Sequence, residues 1–290
     1  LERVAARGNF YSVAAGGAGS VPGMLAGDVL INDVPLPASS AVDDSRSPPG
    51  NAAASAIAKA AAINRISDLT GVSAVPGVTL MSGNAMDATA LVSGVSSGVV
   101  VINGFASPTI TTVQSSALGA AQTEDGGSLS RAAVVAAINQ ISDITGVTAV
   151  DSGSDGGGVQ LQAADGRNIE VSVQPASGTT AEFLQRTGLR AGVQTGSYTL
   201  EAARGTPLVL APSASGNLQS AGLPVGDFAE NRIALQSAER AVAFTAASSV
   251  PLAEGDLVIN GVAIRATNML DDTLSDTTAP GSNPLASATA

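Results

Sequence analysis

Short apolar runs with a period of two alternate along this chain with longer runs spaced three and four residues apart. The strand-like runs end alike, at Ile31-Asn32, Ile102-Asn103 and Ile259-Asn260, and each predicts a strand entering a tight Asn-containing turn. The helix-like runs are rich in alanine. Ala56, Ala60 and Ile63 share one face of a helix predicted over residues 52–68, and Val134, Ile138 and Ile141 share the equivalent face of a second. Lys59 stands where the second helix has Val134, so it is expected along the rim with its stem on the core. Gly126-Gly127 should break the chain before that second helix, with Ser128 or Ser130 as its cap.

The two helical regions are copies. INRISDLTGVSAV, from Ile63 to Val75, returns as INQISDITGVTAV, from Ile138 to Val150, with ten of thirteen positions identical. Each helix should stop at Thr-Gly (Thr70-Gly71, Thr145-Gly146), where glycine suits the left-handed position, and give way to a strand starting at Val72 or Val147. Ile63, Ile66, Leu69, Ile138, Ile141 and Ile144 are expected in the cores, with the Ile of each Ile-Asn pair. Asn64, Asn139, Asp68 and Asp143 are expected to hydrogen-bond the helix-to-strand connections. Part of a third copy follows: Gly27-Asp28, Ile31-Asn32 and Asp43-Asp44 match Gly255-Asp256, Ile259-Asn260 and Asp271-Asp272.

This pattern predicts an α+β, strand-rich fold of repeated β-α-β-hairpin modules, each with a short helix on a small sheet. Residues 1–92 read as one module with an N-terminal connecting segment and 93–175 as a second. A connecting hairpin and short helix, near Phe228 to Val242, occupy 176–242, and 243–290 hold an incomplete third module expected to pack with the N-terminal segment in a base domain. Hairpins are predicted from Val159 to Val173 about Asp165-Gly166, and from Gly196 to Leu210 about Gly205. The strand of the third module, within 257–264, should pair with 29–35 or with 198–211.

Composition narrows the picture. Aromatic residues make up 2% of the 290 residues, with no Trp, so the cores must be built from Ala, Val, Ile and Leu. A formal charge of −11 and a pI near 4.3 give a surface that repels nucleic acid and anionic lipid, so neither is an expected partner. Mean hydropathy is +0.29, yet no apolar run approaches the roughly 18 to 20 residues of a spanning helix, and the chain reads as soluble. Zero cysteine excludes disulfides and thiolate metal sites. The start, LERVAARGNF, has no Met and no signal-like apolar core, which reads as a piece of a longer chain.

No catalytic, cofactor-binding or metal-binding residue is assigned. The absence of His and Cys removes the usual general base, thiol nucleophile and zinc ligands. Gly94-Val95-Ser96-Ser97-Gly98 spells G-x-S-x-G, but a strand-like run follows it where a nucleophile elbow requires a helix. Asp151-Ser152-Gly153-Ser154-Asp155-Gly156 imitates the start of a calcium loop, although Gly153 and Gln162 fall where ligands belong. Asp43-Asp44 and Asp271-Asp272 read as turn and cap residues. Paired carboxylates for glycoside chemistry would need aromatic cleft walls, and two Tyr with five Phe offer little for one. Asn32, Asn103 and Asn260 read as turn residues that tolerate positive φ and bond nearby backbone.

One resemblance is carried by these same residues. The Gly27-Asp28 to Ile31-Asn32 strand turn, the loop with Asp43-Asp44, the helix ending Ala61-Ala62-Ile63-Asn64 and the Thr70-Gly71-Val72 strand resemble the "IN" module of bacterial flagellins and hook-associated proteins. The likeness covers roughly two copies over residues 24–175 and the front of a third from about 243. It implies the surface-exposed outer domains of a large flagellin, a structural and non-enzymatic part of an extracellular filament that supports motility. It implies export without a cleaved signal peptide, and partner flagellin subunits reached through terminal helices not found in this sequence. It further implies an outer face seen by antibodies, phage or a host surface. A filament cap or junction protein uses similar modules, and a cell-surface adhesin or glycan-binding module is the alternative from another class.

Overall fold

The computed structural model describes residues 2–12, 21–87, 94–114, 126–203, 205–213, 218–228, 258–259 and 262–263. They fall in two units, Leu1–Gln236 and Ser237–Ala290. The fold is mixed α+β and strand-rich, with several small antiparallel sheets and few helices. The first unit begins with β1 (Glu2–Ala6), β2 (Phe10–Tyr11), the hairpin β3 (Val29–Ile31) and β4 (Val34–Pro35), α1 (Ala56–Asn64), α2 (Ser67–Thr70) and β5 (Val72–Pro76). It continues with β6 (Thr79–Met81), the hairpin β7 (Ser97–Ile102) and β8 (Phe105–Ala106), β9 (Ile110–Thr111), α3 (Gly126–Asn139), α4 (Ser142–Thr145) and β10 (Thr148–Asp151). Then come β11 (Val159–Ala163), β12 (Ile169–Pro175), α5 (Thr180–Thr187), β13 (Gly192–Gln194), β14 (Tyr198–Ala202), β15 (Val209–Pro212), α6 (Leu218–Ala221) and β16 (Gly226–Asp227). In the second unit, β17 (Val258–Ile259) and β18 (Val262–Ala263) form a hairpin.

The repeated sequence folds twice into the same local structure. Ser55 caps α1, its hydroxyl accepting from Ala58 N–H at 3.0 Å. The helix stops at Asn64, whose side chain leaves the helix to pair with the strand backbone. Asn64 Nδ2 donates to Ala74 O at 2.9 Å and Oδ1 accepts from Ala74 N–H at 2.7 Å; Asn139 does the same to Ala149 at 3.1 and 2.7 Å. A single turn of helix, α2 or α4, follows and closes on Gly71 or Gly146 at φ +69° and +68°. Thr70 and Thr145 brace that turn by donating to Ile66 O and Ile141 O, each at 3.0 Å. The expected helix over 52–68 is therefore broken. Among the described residues it is Ser67 and Ser142, and not Asp68 and Asp143, whose side chains hydrogen-bond the connection, donating to Asn64 O and Asn139 O, each at 2.9 Å. The predicted cap of the second helix also shifts: Gly126-Gly127 open α3 rather than precede it, and Ser128 and Ser130 lie within it.

Neither predicted hairpin forms. Gly166 and Gly205 do turn the chain, at φ +82° and +83°, but the strands on either side enter different sheets. β11 pairs with β10 and β6 while β12 joins β7 and β13; β14 pairs with β5 and β1 while β15 joins β3 and β16. The two cases are equivalent. Tyr198-x-Leu200-x-Ala202-Ala203-x-Gly205 follows the pattern Val159-x-Leu161-x-Ala163-Ala164-x-Gly166. Helices α5 and α6 then end at Gly188 and Gly222, both in the left-handed region, whose carbonyls accept from Asn84 N–H at 3.1 Å and Arg7 N–H at 3.0 Å.

The two copies are consequently nested. One copy uses β1, the β3–β4 hairpin, α1, α2, β5, β14, β15, α6 and β16. The other uses β6, the β7–β8 hairpin, α3, α4, β10, β11, β12, α5 and β13, and lies wholly between β5 and β14 of the first. The chain leaves and re-enters the outer copy where Gly77 N–H donates to Ser197 O at 2.8 Å. Among the described residues, β17 and β18 pair only with each other; β3, one expected partner, is flanked by β4 and β15. The helix expected to Val242 falls, apart from Phe228, outside the described residues.

Each copy has its own core. Ile31, Ile63, Val72, Tyr198, Leu200 and Leu210 fill the outer one, and Ile102, Val134, Ile138, Val147, Leu161 and Phe183 the inner. Ile66 and Ile141 are half-buried, whereas Leu69 and Ile144 are 74% and 61% exposed, contrary to expectation. The break after Asn64 and Asn139 resets the helical phase, so the position three residues beyond Ile66 or Ile141 turns outward. Lys59 departs from expectation too. It is 2% exposed, in the place of fully buried Val134, and burial pushes its ammonium down to about 8 from an ordinary 10.5.

Ile138→Ala should lower stability by about 2 to 5 kcal/mol, while Ile144→Ala should stay within about 0.5 kcal/mol; urea midpoints distinguish them. Lys59 binds its proton more tightly in the unfolded chain, so between pH 8 and 10.5 the unfolded state holds more protons and stability rises with pH. Below that window the protonated amine imposes a constant penalty on the order of 3 kcal/mol. Lys59→Val should raise the urea midpoint at pH 7 and abolish its rise across pH 8 to 10.5.

Candidate functional site

The repeated side chain that ties together the most distant parts of each copy is the asparagine of each Ile-Asn hairpin. Asn32 and Asn103 adopt φ of +50° and +51°, which asparagine tolerates better than most residues. Asn32 donates its N–H to Val209 O and accepts at Oδ1 from Val209 N–H, both at 2.9 Å, so its side chain extends the pairing of β3 with β15. Its Nδ2 donates to Pro207 O at 2.6 Å and to Thr70 O, at the end of α2, at 2.9 Å. Asn103 repeats the arrangement on Glu170 (2.9 and 2.8 Å), Asn168 O (3.1 Å) and Thr145 O (3.3 Å). One side chain thus fastens a hairpin, a helix end and the strand that completes the sheet. The sequence indicated a turn role; it did not indicate partners some 175 residues away. Asn260 lies outside the described residues.

The motifs that imitate catalytic and metal sites have structural uses. Ser96 is buried and sits before β7, its N–H donating to Thr112 Oγ1 at 2.8 Å and its carbonyl accepting from Thr112 N–H at 2.9 Å. A strand follows it, so there is no elbow. The carboxylates of the calcium-like loop hold a guanidinium instead. Arg131, buried on α3, donates from Nε to Asp151 Oδ1 at 2.7 Å and from Nη1 to Asp155 Oδ1. Asp43 forms an ion pair with Arg65, and Asp44 Oδ1 accepts from Arg46 and Ser47 N–H at 2.8 and 3.1 Å, as a turn residue does.

Between the copies lies a polar junction. Asp165 is gripped by Arg167 at 2.7 Å and by Arg46 of the outer copy at 3.3 Å; burial disfavours its charge, but the Arg167 hydrogen bonds prevail and hold its carboxyl below the usual range. Arg167 also donates to Thr145 O at 2.9 Å. Asn51 Nδ2 donates to Glu170 Oε2 at 3.1 Å. No group of three or more Asp, Glu, His or Cys placed to hold a metal occurs among the described residues. A shallow groove of about 100 Å³, lined by Leu80, Met81, Val150, Gln160 and Gln162, is smaller than the roughly 300 Å³ of ordinary ligand pockets. No helix of the described residues is long and apolar enough to cross a membrane.

Comparison with protein-family models, with curated proteins and with solved structures finds no match.

Asn103→Ala removes three side-chain hydrogen bonds and leaves a residue strained at positive φ, whereas Asn103→Gly relieves the strain but not the lost bonds. Both should destabilise the inner copy, the glycine variant by about 1 kcal/mol less, and amide exchange at Glu170 should accelerate in both. Purified protein should hydrolyse no ester, peptide or glycoside; turnover that survives repurification and vanishes in Ser96→Ala would overturn the structural reading of that pentapeptide.

Proposed function

We propose that this chain is a surface-exposed outer region of a bacterial flagellin, a structural part of the flagellar filament that supports motility. The observation that carries the reading is the meeting of the ends of the outer copy, where Arg7 N–H donates to Gly222 O at 3.0 Å. A domain whose two ends are neighbours can be inserted in a longer chain without disturbing it. Here that arrangement is used twice, since the inner copy is itself inserted in the outer. Two insertions in succession project a structure outward from whatever carries them, as a filament's outer domains must. The acidic surface and aromatic-poor cores suit an exposed scaffold with alternating small packing units.

The partners on this reading are other flagellin subunits, joined through terminal helices outside this sequence, with antibodies, phage or a host surface meeting the outer face. Gold-labelled antibodies raised against residues 1–236, applied to cells of the source bacterium and viewed by electron microscopy, test it. Label along the whole filament is expected. Label confined to the filament tip or its base would assign a cap or junction protein, and label on the cell body would favour an adhesin, for which a glycan array is the next measurement.

A further inference from the structure

The loop of residues 37–51 and the turn between β11 and β12 meet in a buried polar knot that joins the copies. Ser47 Oγ accepts from Asn168 N–H at 2.8 Å, and Asn168 Nδ2 donates to Asn51 O at 2.6 Å. Ser47 N–H in turn donates to Asp44 Oδ1 at 3.1 Å. Two oxygens of this knot have no hydrogen-bond partner among the described residues, Asp44 Oδ2 and Asn168 Oδ1, on residues only 4% and 0% exposed. Both are acceptors. An acceptor buried and left unfilled is destabilising, and more so when it is charged. Asp44 has no ion pair within 4.0 Å among the described residues. Arg167, which feels its charge, is bound to Asp165 and Thr145 O, and Arg46 is bound to Asp165.

We propose that Asp44 and Asn168 hold a hard divalent cation of the calcium class at this junction, with Ser47 Oγ beside it and water completing its shell. The two unfilled atoms are a carboxylate and an amide oxygen, the donor types such an ion takes. A cation also answers what a water molecule does not: it neutralises the buried Asp44 charge as well as filling the lone pairs. One carboxylate makes a weak site, with Kd on the order of 10⁻⁴ to 10⁻³ M. The counterpart of Asn168 in the outer copy is Pro207, which has no side-chain oxygen. The site therefore belongs to the junction and not to the repeat, and its ion would fix the inner copy to the outer.

The test uses the full chain, stripped with a chelator and held at constant ionic strength, with Ca²⁺ alone as the probe. Equilibrium dialysis should find a single saturable ion at low-millimolar Ca²⁺, and the urea midpoint should rise with it. Asp44→Asn should weaken binding by roughly tenfold or more. Because that variant could disturb the turn, Asn168→Asp is the second arm: a carboxylate added at the same place should tighten binding. No saturable Ca²⁺ in this range would overturn the proposal, as would binding undiminished by Asp44→Asn, which marks diffuse attraction to an acidic chain. An Asn168→Asp protein that loses stability and gains no Ca²⁺ affinity would overturn it as well, and would leave water as the occupant.

Discussion

The fold depends on one side chain used twice. The end of each short helix, α2 or α4, leaves a carbonyl (Thr70 O or Thr145 O) that needs a donor, and each Ile-Asn strand ends in a turn that must meet a partner strand distant in sequence. Asn32 and Asn103 meet both needs, offering two amide hydrogens and one amide oxygen from a backbone held at positive φ. Aspartate, acceptor-only when ionised, could not donate to the helix end. Glycine would allow the turn and keep its backbone bond, but lose all three side-chain bonds. Around this fixed point the apolar side chains are small, so much of the specificity of strand pairing rests on polar geometry.

Nesting follows from how the latch selects partners. Because Asn32 fastens Val209 and Asn103 fastens Glu170, each copy is closed by a strand pair that lies further along the chain. In the inner copy the closing strands are the next available; in the outer copy the whole inner copy intervenes. The intervening loop is closed locally by Gly77 and Ser197, so the outer sheet β1-β14-β5 forms as if the insertion were a long turn. The polar junction about Asn51, Asp165 and Asn168 then sets how one copy rests on the other. Those contacts have no equivalent within either copy.

Local features were legible in the sequence. The α+β class, the two helix-to-strand units, the left-handed glycines at 71 and 146, the Ile-Asn hairpins and the buried Ile63 and Ile138 all follow from short-range pattern. What failed was of two kinds. Leu69 and Ile144 were misplaced because a single helical phase was carried through a break that Asn64 and Asn139 create by turning to the strand. The hairpins about Gly166 and Gly205 were wrong because turn residues report a change of direction and not which strands then pair. A signal was present: the shared x-Leu-x-Ala-Ala-x-Gly pattern at 160–166 and 199–205 marks those strands as a second repeated element, and repeat order alone suggests an enclosed copy. For Lys59 the signal was its alignment with Val134, a core position, which the usual preference of lysine for a rim overrode. The pattern of residues could not reveal that Asp44 and Asn168 both bond to Ser47, because they come from different copies.

The central claim is that the inner copy is an insertion within a complete outer copy. Removing residues 78–196, so that Gly77 is joined directly to Ser197, tests it most directly, with amide hydrogen exchange followed by NMR. If the copies are nested, the shortened chain folds, and the amides of Val75 and Thr199, paired across β5 and β14, stay protected in the sheet they share. A shortened chain that shows no protection at those two positions, although the intact chain does, would contradict the nested arrangement.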